Sequence, residues 1–321
     1  MSDTKHLERI AIVGAGGHVG KPITTALVQS GKHTITALTR PGSTAVLPPG
    51  VTRIEVDYND HAAVVAVLRS QQIQFLIITL SVTAPPETHT LIVTAAAEAG
   101  VPYIMPNAYG GDIFDSALGT DDTYTGASLA KCREIEAFGP ATAFVALCCG
   151  FWFEWSLALG ESFFGFDIAQ RKVTFFDDGK TKITSSTWDQ CGRAVAGLLS
   201  LPESVVAEKF RNGPVYTASF TISQRDILDS LHRVLGTKDE DWEIRYQGTR
   251  ERVAEGMKEL SEGNRLGFAK ALYSRGFFPS GGGNHEASKG LHNGILGLEK
   301  EDIDGAVKRT VAMVESGWSP F

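Results

Sequence analysis

The chain has 321 residues, enough to bury a large core, and its size is typical of one large domain with a smaller lobe. A formal net charge of −7 gives no electrostatic indication of nucleic acid or an anionic membrane, so we expect neither as a partner. The four cysteines lack CxxC spacing, which favours reduced thiols in a cytoplasmic protein. The sequence predicts no signal peptide, no membrane span and no metal site.

Short apolar strands alternate with helix-like segments in the first half of the chain. The predicted strands are 10–13, 33–39, 52–57, 75–80, 101–105 and 142–147, and the predicted helices are 21–30, 60–70, 86–99 and 123–138. Repeated units of this length predict right-handed crossovers. We therefore expect a Rossmann-type, doubly wound parallel sheet over residues 1–150, with ligands at the carboxyl ends of its strands.

The pattern after Gly150 is more mixed. It predicts a hairpin at 172–184 around Asp178 and Gly179, helices at 186–200, 223–235, 249–262 and 302–316, a short strand at 215–220 and an edge strand at 242–246. Ser223 and Asp226 are spaced as a capping box. We expect residues 151–321 to form a smaller α+β lobe that binds substrate. Some segments of this part of the chain are expected to return to the Rossmann-type domain.

A glycine-rich turn connects the first strand to the first helix. Gly14, Gly17 and Gly20 have the spacing of a dinucleotide-binding turn, in which backbone amides and the helix dipole face a pyrophosphate. The alternative is a purely structural turn. The residues of this turn that we expect to contact the cofactor are Gly14, Gly16, Gly17, His18, Val19 and Gly20.

The end of the second strand indicates which dinucleotide binds. Arg40 lies 20 residues after Gly20, and an arginine at this position suits the 2′-phosphate of NADP(H), whereas NAD-binding proteins place a carboxylate there. Thr39 precedes it. The alternative is a solvated surface arginine, and a methyltransferase would more comfortably have an acid here. The sequence favours NADPH.

Other candidates follow the later strands, where a doubly wound sheet binds its ligands. Near the cofactor we expect Thr79, Leu80, Ser81, Pro106 and Asn107. Tyr109 follows in the same turn and is expected to contact substrate and to be a candidate proton donor. The aromatic run after the sixth strand should supply a wall of the substrate pocket, through Phe151, Trp152 and Trp155, although a plain core role is also open.

The glycine motif, Arg40 and the segments 105–110 and 150–157 resemble the NmrA-like and isoflavone reductase-like branch of the atypical short-chain dehydrogenases. Residues 296–304 resemble its fungal subgroup. The resemblance implies a Rossmann-type domain that binds NADP(H) and a small C-terminal substrate lobe. It also implies an adenine contact near Asp57 and Tyr58, where a loop-capping aspartate is the alternative.

The resemblance further implies a catalytic lysine on the helix at 123–138, where Lys131 is the only lysine. The Tyr-x-x-x-Lys pair of typical short-chain dehydrogenases is absent: Tyr124 and Lys131 are two helical turns apart, about 10 Å. We expect Lys131 to contact the cofactor and supply a proton. An ungapped match would put Ser128 in its place, and a solvated helix charge is the other alternative.

The favoured function is an NADPH-dependent oxidoreductase of secondary metabolism that reduces a C=C, C=O or C=N bond of a medium-sized apolar or aromatic molecule. One alternative is a regulator that senses the NADP redox state without turnover. Another is an NADP(H)-bound enzyme that catalyses a redox-neutral or cyclising step. The expected partner is a small-molecule substrate, and the expected assembly is a monomer or homodimer.

Overall fold

A computed structural model of the chain describes residues 5–81, 84–121 and 123–320. Its first half alternates strands and helices as predicted. The elements are β1 (Arg9–Val13), α1 (Gly20–Ser30), β2 (Thr34–Thr39), β3 (Thr52–Glu55), α2 (His61–Ser70), β4 (Phe75–Ile78), α3 (Glu87–Ala99), β5 (Tyr103–Met105), α4 (Ser116–Asp121), α5 (Thr123–Glu136) and β6 (Ala143–Cys148).

The second half contains shorter strands and more helices. Its elements are β7 (Phe151–Trp152), α6 (Phe153–Ala158), β8 (Phe166–Asp167), β9 (Lys172–Phe176), β10 (Ile183–Ser186), α7 (Trp188–Leu199), α8 (Glu203–Lys209), β11 (Gly213–Tyr216), β12 (Phe220–Ile222), α9 (Gln224–Leu235), β13 (Glu243–Gln247), α10 (Thr249–Ser261), α11 (Leu266–Gly276), α12 (His285–Lys289) and α13 (Ile303–Glu315).

The main sheet has the strand order β3-β2-β1-β4-β5-β6-β11, and every pair of neighbours is parallel. The predicted Rossmann-type fold is confirmed. β4 is buried along its whole length, as expected for a strand covered by helices on both faces. The order of connection reverses between β1 and β4, and the crevice at such a switch point is where this architecture binds ligands.

The helices form a layer on each face of the sheet. One core cluster joins the sheet to α1 and α7, and the other joins it to α2, α3 and α5. α7 packs very closely on α1, because a Cβ at Gly192 would lie 2.5 Å from the carbonyl oxygen of Pro22. Thus α7 and β11, both from the second half of the chain, complete the Rossmann-type unit. Its boundary at residue 150 stays a prediction.

The predicted hairpin at 172–184 is wrong. Gly179 does turn the chain, with a φ of +71° and a backbone hydrogen bond of 3.0 Å to Phe176, but β9 and β10 do not pair. β9 joins a sheet of order β13-β9-β8, and β10 joins one of order β12-β10-β7. β10 pairs with two strands that are distant in sequence, whereas β9 pairs with the nearby β8 and with the distant β13.

Other features of the second half of the chain can be compared with the predictions from the sequence. The capping box of Ser223 and Asp226 is present at the start of α9, and the edge strand predicted at 242–246 is confirmed as β13. The single strand predicted at 215–220 is wrong, since this stretch divides between β11 of the main sheet and β12 of the lobe. No helix in the described part of the chain has the length and apolar character needed to cross a bilayer.

Candidate functional site

The turn between β1 and α1 can be built only from glycine at two positions. Gly14 has a φ of +81°, and a Cβ on it would lie 2.2 Å from the carbonyl oxygen of Thr79. A Cβ on Gly20 would lie 2.1 Å from the carbonyl oxygen of Gly14. The Thr79 hydroxyl donates to Val13 O at 2.8 Å and tightens the same turn. Thr79 therefore braces the turn from the neighbouring strand.

The middle of the turn is open to solvent. Gly16, Gly17 and His18 are exposed, whereas Val19 is buried in the core beneath α1. α1 begins at Gly20 without an acidic residue in its first turn, so nothing there offsets the positive end of the helix dipole. An exposed glycine backbone at a helix N-terminus is suited to bind phosphate.

Arg40 lies at the end of β2, beside this turn, and its side chain is exposed. Within the described residues its guanidinium has no hydrogen bond or ion pair. The adjacent Thr39 is buried, and its hydroxyl has no partner in the described structure. An orphaned hydroxyl and an unpaired guanidinium beside a glycine turn are groups that a phosphorylated ribose could satisfy. The residues present therefore fit NADP(H).

The side chains of Asp57 and Tyr58 both make hydrogen bonds within the protein. The Tyr58 hydroxyl donates to Leu38 O at 2.8 Å, and burial raises its pKa to about 12. Asp57 accepts hydrogen bonds of 3.0 Å from the backbone and side-chain nitrogens of Asn59. The loop-capping alternative for Asp57 thus has direct structural support, while its exposed carboxylate still lies next to the predicted adenine side.

The ends of β4 and β5 and the helix α5 meet through Asn107. The side-chain amide of Asn107 donates to Leu80 O at 3.2 Å. The backbone carbonyl of Asn107 accepts a hydrogen bond of 2.9 Å from Lys131 Nζ. Ser81 is exposed next to this contact, and Pro106 is buried behind it. The structure therefore brings together the candidates Leu80, Asn107 and Lys131 at one edge of the sheet.

Lys131 is half-buried, and this burial lowers its pKa from the usual value, while the nearby Cys132 and Glu134 act in the opposite direction. Ser128, the alternative position, is almost fully buried and hydrogen-bonded to Tyr124. The Tyr124 hydroxyl in turn donates to Tyr109 O at 2.6 Å. Of the residues considered on α5, only Lys131 extends its charged end to the strand ends.

Tyr109 lies almost wholly in the core. Its side chain is 6% exposed and belongs to the core cluster beneath α1 and α7. Its hydroxyl is buried without a partner among the described residues, and burial raises its pKa well above the usual range. The roles of Tyr109 in substrate contact and proton transfer stay predictions.

A buried histidine next to Lys131 was not anticipated. His89 of α3 is 3% exposed, and its Nδ1 lies 3.2 Å from a carboxylate oxygen of Glu134 on α5. Burial lowers the pKa of His89 to about 4, although Glu134 opposes this change. Spacing alone gave no signal for this pair, because the two helices are brought together only by the fold.

The aromatic run after β6 divides between two environments. Phe151 stacks on Tyr273 with ring centres 4.3 Å apart, and Phe153 is fully buried in the lobe core. Trp152 and Trp155 are half-buried and lie near the glycine turn, where the Trp155 ring is 5.5 Å from that of His18. Trp152 and Trp155 thus lie beside the glycine turn and Phe151 packs against the lobe, and the predicted substrate wall formed by the three stays a prediction.

Trp188 and Trp318 complete this aromatic surface, and sequence reasoning missed both. Their ring centres lie 5.7 Å and 5.8 Å from that of His18. A groove of about 570 Å³ runs from the turn along α1 and α7. Its lining includes Gly16, Gly17, His18, Lys21, Trp188 and Arg193. The described residues contain no group of three or more His, Cys, Asp or Glu side chains that could hold a metal ion.

Comparison with known proteins agrees with this geometry. Residues 6–118 match the NmrA-like family. A curated oxidoreductase, aprR of Aspergillus flavus, is 26% identical over 308 residues, which cover 93% of this chain and 97% of the relative. The resemblance predicted from the sequence is confirmed.

Solved structures share the fold over nearly the whole chain. An isoflavone reductase has a TM-score of 0.69 at 19% identity and covers 94% of this chain and 99% of its own. The complex of leucoanthocyanidin reductase with NADPH, from Vitis vinifera, has a TM-score of 0.70 at 13% identity and covers 95% of this chain and 99% of its own. At such identities the likeness establishes the fold.

Proposed function

We propose that this NmrA-like protein is an NADP(H)-dependent oxidoreductase that reduces a C=C, C=O or C=N bond of a medium-sized apolar or aromatic molecule in secondary metabolism. The enzyme class is supported by a relative of nearly the same length that is named an oxidoreductase. The cofactor is supported by a structural neighbour that was solved as an NADPH complex.

One observation carries the proposal: two complementary groups of residues lie along the carboxyl edge of one sheet. The first is the exposed glycine turn with the unpaired Arg40 beside it. The second is Lys131, held 2.9 Å from Asn107 O at the end of β5. NADPH, when bound, supplies the hydride, and the protein supplies binding, orientation and proton transfer. The first group would hold the cofactor and the second would serve the substrate.

Lys131 is suited to hold a proton where a reduced substrate needs one. An ammonium group has three N–H donors, and the hydrogen bond to Asn107 O uses one of them. That bond orients the amine, while half-burial makes it easier to deprotonate than a solvated lysine. With Tyr109 enclosed in the core, Lys131 is the proton donor that we propose.

Cofactor preference provides the direct test. Arg40→Ala should weaken NADPH binding by about 1.5–3 kcal/mol, the range for hydrogen bonds to a charged group, and leave NADH binding nearly unchanged. Isothermal titration of both cofactors measures this difference. Arg9→Ala, at the opposite edge of the same sheet, is the matched control. Equal affinity of the native protein for NADPH and NADH would refute the cofactor assignment.

Turnover separates the enzyme from the regulator. Native protein that binds NADPH should consume it in the presence of an aromatic ketone, enone or imine from a substrate panel, followed by the absorbance of the reduced nicotinamide. Binding without consumption across such a panel, together with an NADPH-dependent protein complex, would favour the redox-sensing alternative.

A further inference from the structure

Three tryptophan rings lie against the exposed side chain of His18. The Trp318 ring centre lies 5.8 Å from that of His18, 6.0 Å from that of Trp155 and 5.9 Å from that of Trp188. Trp152 extends the cluster, 5.9 Å from Trp155. Of the five tryptophans in the chain, only Trp242 lies elsewhere, in the lobe core. His18 thus contacts rings from three distant segments of the chain.

The position of Trp318 is set by specific contacts of the fold. Gly317, with a φ of +69°, ends α13, and the Trp318 amide then donates back to Met313 O at 3.1 Å. α13 itself is tied to α6, since Arg309 reaches Glu154 at 3.3 Å. The segment after α13 is therefore directed to the glycine turn.

The sheet order indicates which end of a dinucleotide would lie here. Arg40 and Asp57 follow β2 and β3, on one side of the turn, and they mark the adenine half. Trp155 comes from the segment after β6, on the opposite side of β1. A dinucleotide that crosses the switch point with its diphosphate on the turn would place its nicotinamide on the tryptophan side.

Two buried donors in this cluster are available to a ligand. The indole N–H groups of Trp152 and Trp188 are buried and have no acceptor among the described residues. Buried N–H groups are nearly always paired, with protein, with water or with a bound group. A carboxamide or phosphate oxygen near the cluster would supply an acceptor.

We propose that Trp318 is a wall residue of the cofactor site, which together with His18 and Trp155 encloses the nicotinamide end and shields it from water. This inference rests on the proposed NADP(H) function. It assigns to the segment after α13 a direct part in cofactor binding, and it predicts that Trp318 acts on the nicotinamide half alone.

The test compares two ligands that share the adenine half. NADPH and adenosine 2′,5′-bisphosphate are titrated calorimetrically into the native protein and into Trp318→Ala, Trp318→Phe and the control Trp242→Phe. Trp242 packs against Phe166 and donates to Thr237, far from the turn, so the control removes a tryptophan outside the cluster. Circular dichroism and thermal melting verify that each variant is folded.

Loss of the aromatic contact in Trp318→Ala should weaken NADPH binding about 3- to 10-fold. Binding of adenosine 2′,5′-bisphosphate should stay unchanged, and Trp318→Phe should restore most of the NADPH affinity. The emission of bound NADPH should shift toward its value in water in Trp318→Ala only. If His18 is the partner, His18→Ala and Trp318→Ala should be non-additive.

Three other outcomes have distinct meanings. Unchanged NADPH affinity and emission in folded Trp318→Ala would overturn the proposal while leaving the cofactor assignment intact. Equal weakening of both ligands would also overturn it, because Trp318 would then support the fold as a whole. Failure of the native protein to bind either ligand would instead refute the proposed function.

Discussion

His89 should make the protein lose stability in mild acid. Its ring is buried between α3 and α5, and the groups that face it are Glu134 and Lys131 of α5. The pKa of His89 is about 4 in the folded protein, compared with 6.5 for an ordinary histidine. Its Nε2 has no partner among the described residues, so a proton added there would be left without an acceptor.

The sign of the change in stability with pH follows from the order of these two pKa values. Between them the unfolded chain binds a proton that the folded chain does not, so acidification stabilises the unfolded state. Acidification from about pH 7.5 to about pH 5 should therefore cost about 2 kcal/mol at this one site. The loss should approach its full size only below the folded pKa of about 4.

The measurement is the free energy of unfolding from denaturant titrations at the two pH values, for native protein and His89→Gln. The neutral glutamine should remove the contribution of His89 to the pH dependence of the free energy of unfolding and leave the contributions of the other histidines. His61→Gln is the matched control, because His61 also pairs with a glutamate, Glu98 at 2.6 Å, but on the protein surface. An equal loss in native protein and His89→Gln would refute a lowered pKa of His89, and a gain of stability in acid that His89→Gln lacks would show that Glu134 keeps His89 charged.

Three further predictions concern the proposed site and the fold. Lys131→Met should leave the Kd for NADPH within a few fold and lower kcat by about 10²–10⁴, the usual contribution of general acid catalysis, and unchanged kcat would move the proton donor elsewhere. Gly20→Ala should abolish NADPH binding and destabilise the fold, since the new Cβ meets Gly14 O at 2.1 Å, whereas Gly111→Ala, with open space around it, should melt like the native protein. Ser223→Ala should lower the free energy of unfolding by about 1 kcal/mol through loss of the α9 cap, and an unchanged melting curve would contradict this value.

Local signals in the sequence were sufficient for the Rossmann-type half of the fold. The continuous apolar run of β4, the positive φ needed at Gly14 and the hydrogen bonds of the Ser223 capping box all depend on neighbours within a few residues or on burial of a whole strand. The exposed turn and Arg40 could also be expected beside each other, because the turn follows β1 and Arg40 follows β2, and these strands are parallel neighbours. The order of the strands then determined the edge at which they lie.

Tertiary contacts decided the remaining features. β9 and β10 lie within one apparent hairpin, yet β9 pairs with the distant β13 and β10 with the distant β7 and β12. Tyr109, two residues beyond Asn107 in the predicted site, has its ring in the core. Nothing local joins His18 to Trp318, which stands 300 residues later in the chain. Propensity and periodicity report interactions along the chain, whereas the partner of a strand and the burial of a ring depend on which surfaces meet when the elements pack.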